Sequence, residues 1–291
     1  MRIFLLVLTT IIWGSTFFII KDAVITVNEF YIVFLRTFLA AIPMLLFVYL
    51  KNKKSLLNPK TILKGMVLGI LLATTYASQT IGLKYTSSGH SAFITGAAVV
   101  IIPMILFFFY KRKLKSQEII ILLIVFAGLY LLTYDSETKI NIGDLITLIT
   151  TLSLAWHLTL AGRYVKNTET LPLIAYQFFF ASLFSLIIYV STQPVTFQLS
   201  TNETITMIYL GFIGTLFCYF VSVWAQKQVD TVTVAIIFTL EPVFAALFAW
   251  IFASETLNFK EISGGIIILG GIIIFQLLSI RKKQTELKLD Y

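Results

Sequence analysis

The sequence predicts an all-α membrane protein, with ten transmembrane helices arranged as two inverted five-helix repeats. Three observations lead there. The 291 residues are 58% hydrophobic and 12% charged, with a mean hydropathy of +0.92. No soluble domain buries that much apolar surface, so lipid must be the solvent. The chain also repeats itself with a lag of 143 residues: Trp13 recurs as Trp156, Tyr76 as Tyr219, Lys84 as Lys227, Ala92 as Ala235, Glu118 as Glu261 and Gly128 as Gly271. Each half holds five apolar spans, and an odd number turns the second copy upside down in the bilayer, as in transporters with a site between their halves.

The third observation is the sorting of cations. With ten spans and the N-terminus inside, the inner segments hold Arg2, five lysines between 51 and 64, and four cations between 111 and 115. Arg163, Lys166, Lys227 and four cations between 281 and 288 bring the inner total to 17 of the 22. The outer segments hold Lys21, Lys84, Lys139 and Lys260, and Arg36 lies inside a span. This bias places both termini in the cytoplasm. It also explains the net charge of +8 as topology rather than nucleic-acid binding. The 111–115 run reads as an inner loop against anionic headgroups.

The spans follow in order. Span one, near 3–21, begins Met1-Arg2-Ile3 but is long and aromatic and lacks a small-residue cleavage site. It reads as a membrane helix rather than a signal peptide. Span two, near 30–50, carries Arg36 two turns inside its outer end. Span three, near 63–83, carries Tyr76 and Gln79. Span four, near 90–110, contains Pro103, and span five lies near 117–134. All are about the 20 residues that cross a hydrocarbon core. The polar stretch Asp135-Ser136-Glu137-Thr138-Lys139 separates the halves, giving repeats 1–137 and 138–291.

The second half repeats the plan. Span six lies near 142–162 with Trp156 and His157, span seven near 172–191, and span eight near 203–223 with Tyr219. A surface turn with Pro194 precedes span eight. Span nine, near 232–253, carries Glu241-Pro242, and span ten lies near 261–280. Pro103 and Pro242 are displaced by four residues relative to the repeat, which predicts kinks at heights about one turn apart. Freed carbonyls beside such kinks suit the lining of a central pathway. Gly65, Gly69, Gly264, Gly265, Gly270 and Gly271 let helices approach closely.

Eight residues stand out as candidate substrate-binding groups: Trp13, Arg36, Tyr76, Gln79, Trp156, His157, Tyr219 and Glu241. Glu241 is the one carboxylate deep in a span. A charged acid there costs about 2.5–3.5 kcal/mol on insertion scales, so it must be protonated, paired or wet. It serves either as a proton-coupling site or as a hydrogen-bonded bridge beside Pro242. Arg36 either grips a substrate carboxylate with its planar fork, or snorkels outward or pairs with Glu29 or another acid near the outer face. By the 143 offset, Ala98 stands opposite Glu241 and Phe179 opposite Arg36, so neither charge has a like counterpart. The tryptophan and tyrosine pairs combine apolar faces with polar tips, which suits a pocket for a small amphiphilic solute, or else they are packing. Gln79 shares a helix face with Tyr76. His157 reads as a titrating group or as an interhelical hydrogen bond.

The chain resembles a ten-helix EamA-type transporter of the drug/metabolite transporter superfamily, with two EamA domains. The motifs that carry the resemblance are Ile12-Trp13-Gly14-Ser15-Thr16, Phe34-Leu35-Arg36-Thr37, Gly82-Leu83-Lys84-Tyr85-Thr86-Ser87, Leu240-Glu241-Pro242-Val243-Phe244-Ala245-Ala246-Leu247 and Ser254-Glu255-Thr256-Leu257. It implies a central cavity between inverted halves, alternating access, and transport of amino acids or related metabolites, often outward. Relatives in the wider superfamily move nucleotide sugars or organic cations. Short multidrug relatives place a glutamate in the first helix. Span one here has no acid before Asp22, which argues against a span-one carboxylate mechanism.

The sequence therefore points to a secondary transporter of small organic metabolites such as amino acids, with export preferred from the resemblance alone and proton coupling through Glu241 open. The alternatives are an uptake carrier for a nucleotide-like or other metabolite, a channel, or an intramembrane enzyme. The chain has no HExxH, GxSxG or Walker A motif. Its one cysteine, Cys218, forms no intrachain disulfide, and no cofactor or metal is expected. The expected partners are a small-molecule substrate and the lipid bilayer of the plasma (inner) membrane. The reading leaves monomer or homodimer open.

Overall fold

A computed structural model describes residues 1–133, 141–192, 198–252 and 259–289. The polar stretch 135–139, Pro194 and the Ser254–Leu257 motif lie outside the described residues. In chain order the helices are α1 (Arg2–Ala23), α2 (Glu29–Asn52), α3 (Pro59–Tyr85), α4 (Ser88–Gly96), α5 (Ala98–Tyr110) and α6 (Ser116–Thr133). Then follow α7 (Ile142–Tyr164), α8 (Thr170–Thr192), α9 (Thr201–Ile208), a π-helical stretch Tyr209–Phe217, α10 (Cys218–Ala225), α11 (Thr231–Phe238), α12 (Leu240–Phe252) and α13 (Phe259–Leu289). Among the described residues there is no strand.

Eight helical stretches are long and apolar enough to cross a membrane, and Ser116–Leu132 is a shorter apolar helix. The protein is thus a multi-pass membrane protein. Polar residues at helix starts satisfy the first N–H groups. The Asn28 side chain accepts from Phe30 N at 2.9 Å and Tyr31 N at 3.3 Å. Asn58 accepts from Lys60 N at 3.0 Å just ahead of Pro59, a residue suited to a first turn. Asn141 with Asp144, and Ser200 with Glu203, form capping boxes.

Element starts echo the sequence repeat. The α4 and α11 starts, Ser88 and Thr231, are 143 residues apart. Their N-caps, Ser87 and Asp230, keep the same spacing for α4 and α11.

The proline expectation needs correction. The breaks in the two proline-bearing spans are not a turn apart. They fall at Ala97 and Thr239, 142 residues apart. Pro242 clashes with the carbonyl four residues earlier, that of Phe238, where α11 ends. Pro103 sits too far into α5 to set its own break. There, Thr151 Oγ1 on α7 donates to Ile94 O at 2.7 Å, the carbonyl that Ala98 N would use in a continuous helix. A side chain inserted into the ladder breaks it as a proline does. Pro43 lies within an unbroken α2.

Tertiary packing interleaves the two halves. The α3 helix packs on both α7 and α8, α2 on α8, α6 on α13 and α1 on α12. Glycines permit the closest crossings. A Cβ at Gly69 would lie 2.6 Å from Phe180 Cβ, and one at Gly264 would lie 2.6 Å from Gly128 O. By contrast Gly270 faces open space, so close packing does not explain it.

Candidate functional site

A small cavity opens between the halves. Its walls are Trp13 and Thr16 from α1, Arg36 from α2, Thr75, Tyr76 and Gln79 from α3, Thr95 from α4, Leu154 from α7, Tyr219 from α10 and Glu241 from α12. Six of the eight candidates thus meet at one place, although they span more than 200 residues of chain. The space open to water-sized molecules is ≈ 20 Å³, room for about one water.

Arg36 is 1% exposed. Its Nε donates to Thr215 Oγ1 at 2.9 Å, and its Cζ lies 3.6 Å from the centroid of the Tyr76 ring. Such a stack on an aromatic face offsets part of the cost of burying a guanidinium. Nη1 is buried and has no hydrogen-bond partner among the described residues. The expected pairing with Glu29 does not form: Glu29 pairs with Lys84 at the mouth of the bundle. Nor does Arg36 snorkel, since its whole side chain is enclosed.

Glu241 sits in the first turn of α12, directly after the Thr239 break, and is 8% exposed. Among the described residues it takes part in none of the ion pairs, which are Lys84–Glu29, His90–Asp144, Arg112–Glu118 and Arg112–Asp230. Those four lie at helix ends. The first turn of a helix favours negative charge through the N-terminal dipole. The hydrogen-bonded bridge expected as an alternative for Glu241 is not present among the described residues.

The aromatic walls lock together. Trp13 Nε1 donates to Gly214 O at 2.9 Å, and its ring lies 5.1 Å from Tyr219 and 5.0 Å from Phe238. Tyr76 and Tyr219 meet edge to face at 5.6 Å, and Tyr76 Oη lies 3.3 Å from Thr215 Oγ1. The repeat-related tyrosines therefore touch each other across the site.

Two candidates lie outside the cavity. His157 stands behind Tyr219 at 5.3 Å, and its Nε2 is 3.1 Å from Gln177 Oε1. That contact matches the interhelical hydrogen bond expected of it. Trp156 is half-buried and packs edge to face on Phe109 at 5.0 Å. Its repeat mate Trp13 lines the cavity, so the two tryptophans have different settings. Adjacent residues on a helix point about 100° apart, so His157 and Trp156 diverge.

Sequence reasoning missed Thr16, Thr75, Thr95, Leu154 and Thr215. A threonine in an apolar span one turn before Tyr219 was a usable signal for Thr215. The π-helical stretch had no signal in the apolar pattern.

Comparison with known proteins adds to this geometry. The EamA-like transporter family matches residues 1–134 and again 141–277. An uncharacterized transporter of Archaeoglobus fulgidus is 28% identical over 272 residues, covering 94% of this chain and 84% of that protein. The uncharacterized transporter YoaV of Bacillus subtilis is 20% identical, covering 94% of this chain and 96% of its own. A solved crystal structure superposes with a TM-score of 0.78 over 95% of this chain and 97% of that one. At 14% identity that likeness concerns the fold alone.

Proposed function

Because this chain belongs to the EamA-like transporter family, we propose that it is a secondary transporter that moves small zwitterionic metabolites, amino acids first among them, outward by alternating access. One observation carries the reading. A single cavity between the halves is lined by a buried guanidinium without a carboxylate partner, a buried carboxyl without a cation partner, and aromatic rings, among the described residues. Unpaired ionisable groups at membrane depth are costly, and their retention marks a substrate or ion pathway. A substrate carboxylate pairs with Arg36, and its ammonium faces Glu241 and the rings of Trp13 and Tyr219.

Ten spans in two inverted halves, 1–137 and 138–291, frame this cycle. The matched stretches 1–134 and 141–277 and the recurring helix starts support that division. The cation distribution supports cytoplasmic termini in this reading, and the membrane it assumes is the plasma (inner) membrane. The cavity is too small for a substrate as it stands, and rocking of the halves widens it toward one side at a time. Glu241 exchanges a proton for substrate.

The test is counterflow in liposomes made with the purified chain. Vesicles preloaded with unlabelled L-alanine should take up labelled L-alanine saturably, and an imposed pH gradient should drive its accumulation. A current without saturable exchange would make the protein a channel. Chemical conversion of the amino acid would make it an enzyme.

A further inference from the structure

We propose that Thr215 is a positioning residue that aims Arg36, leaving one edge of the guanidinium for a carboxylate, and that the π-helical stretch presents it. The inference rests on the site reading above. A guanidinium offers two edges for bidentate binding: the side edge of Nε with Nη2, and the end edge of Nη1 with Nη2. Thr215 Oγ1 accepts from Nε at 2.9 Å and so closes the side edge. The Tyr76 ring at 3.6 Å covers one face. The end edge remains, and its Nη1 is buried with no partner among the described residues. A carboxylate entering the cavity therefore meets the end edge alone.

The hydroxyl is itself held. It lies 3.3 Å from Tyr76 Oη, so the residue that stacks under the guanidinium and the residue that caps its side also touch each other. Thr215 is fully buried and belongs to Tyr209–Phe217, where π turns replace α turns. Such turns are rare and recur at functional sites. The preceding residue serves the same junction: Gly214 O accepts from Trp13 Nε1. A Cβ at Gly214 would make a tight approach of 3.2 Å to Thr16 Cγ2 and an ordinary contact of 3.7 Å with Arg36 Nη2. Two consecutive residues of the second half thereby tie Trp13, Arg36 and Tyr76, three side chains of the first.

The experiment compares L-alanine with L-alaninamide, which keeps the amine and lacks the carboxylate. Counterflow is measured for wild type, Thr215→Val and Thr215→Ser in liposomes. Valine keeps the shape and loses the hydroxyl, so KM for L-alanine should rise about tenfold, as expected when a charge-assisted hydrogen bond is lost. KM for L-alaninamide should stay within twofold, and serine should restore the wild-type ratio. A structural defect would raise both constants together. If Thr215→Val does not run as a single species in detergent, Thr215→Ala takes its place. Unchanged discrimination in an active variant overturns the inference and leaves the site reading intact. A wild type that exchanges neither compound overturns both.

Discussion

The central cavity and the seam between α3 and α7 share a helix, yet they treat buried polar groups in opposite ways. On the seam, Ser78 Oγ lies 2.8 Å from Thr150 Oγ1, and Thr75, which also borders the cavity, donates its hydroxyl to Ser153 Oγ at 2.9 Å. The two serines in turn donate to carbonyls of their own helices, Ser78 to Thr74 O and Ser153 to Ile149 O. Arg36 lines the cavity, and its buried Nη1 has no partner among the described residues. Glu241 likewise has no ion pair there. The seam hydroxyls are satisfied within the protein. Groups left unsatisfied and turned toward a cavity are available to a solute.

If that contrast is right, the largest effect belongs to Arg36. Arg36→Ala should lower L-alanine counterflow at least a hundredfold, because a transport site loses its charge and fork together. Arg36→Lys should recover little, since a point charge does not reproduce a planar fork. Recovery to near wild-type rates with lysine would reduce Arg36 to a generic positive charge.

Glu241 comes next. For one exchanged proton, each unit of pH difference should raise the accumulation ratio of L-alanine about tenfold. Glu241→Gln should abolish that response while downhill counterflow continues. A glutamine variant that still follows the gradient would remove Glu241 from coupling.

The seam should behave as packing. Ser78→Ala and Thr150→Ala each remove the same interhelical bond, worth about 0.6 kcal/mol in membrane proteins. A double-mutant cycle on thermal unfolding in detergent should return a coupling of that order, with KM unaltered. A tenfold change in KM would move the seam into the substrate path. The smallest effect is expected at Trp156. Trp156→Phe keeps an aromatic ring against Phe109 and should leave counterflow within twofold of wild type. A larger loss would contradict its placement outside the cavity.

Much of the site was legible because lipid makes polar groups conspicuous. Arg36 and Glu241 stand out in apolar spans on cost alone, and the 143-residue echo picked out Tyr76 with Tyr219. The same echo misled at Trp156, since a duplicated residue keeps its place in the pattern without keeping its neighbours. It also misled over the proline kinks, where Thr151 from another helix sets one of the two breaks. Thr215 escaped because threonine is common in membrane helices and its role depends on what it touches.

Composition, hydrophobic period and repeat spacing were enough to establish a helical membrane protein, its approximate spans and its most expensive buried charges. Each of these follows from the cost of placing a group in hydrocarbon, which every residue carries regardless of its neighbours. The shared cavity, the Thr215 cap on Arg36, the contact of the two tyrosines and the departure of Trp156 from its mate were decided by tertiary structure alone. They depend on distances between helices far apart in the chain. Those distances come from side-chain packing and small residues at crossings, where a few ångströms separate a shared site from two unrelated surfaces.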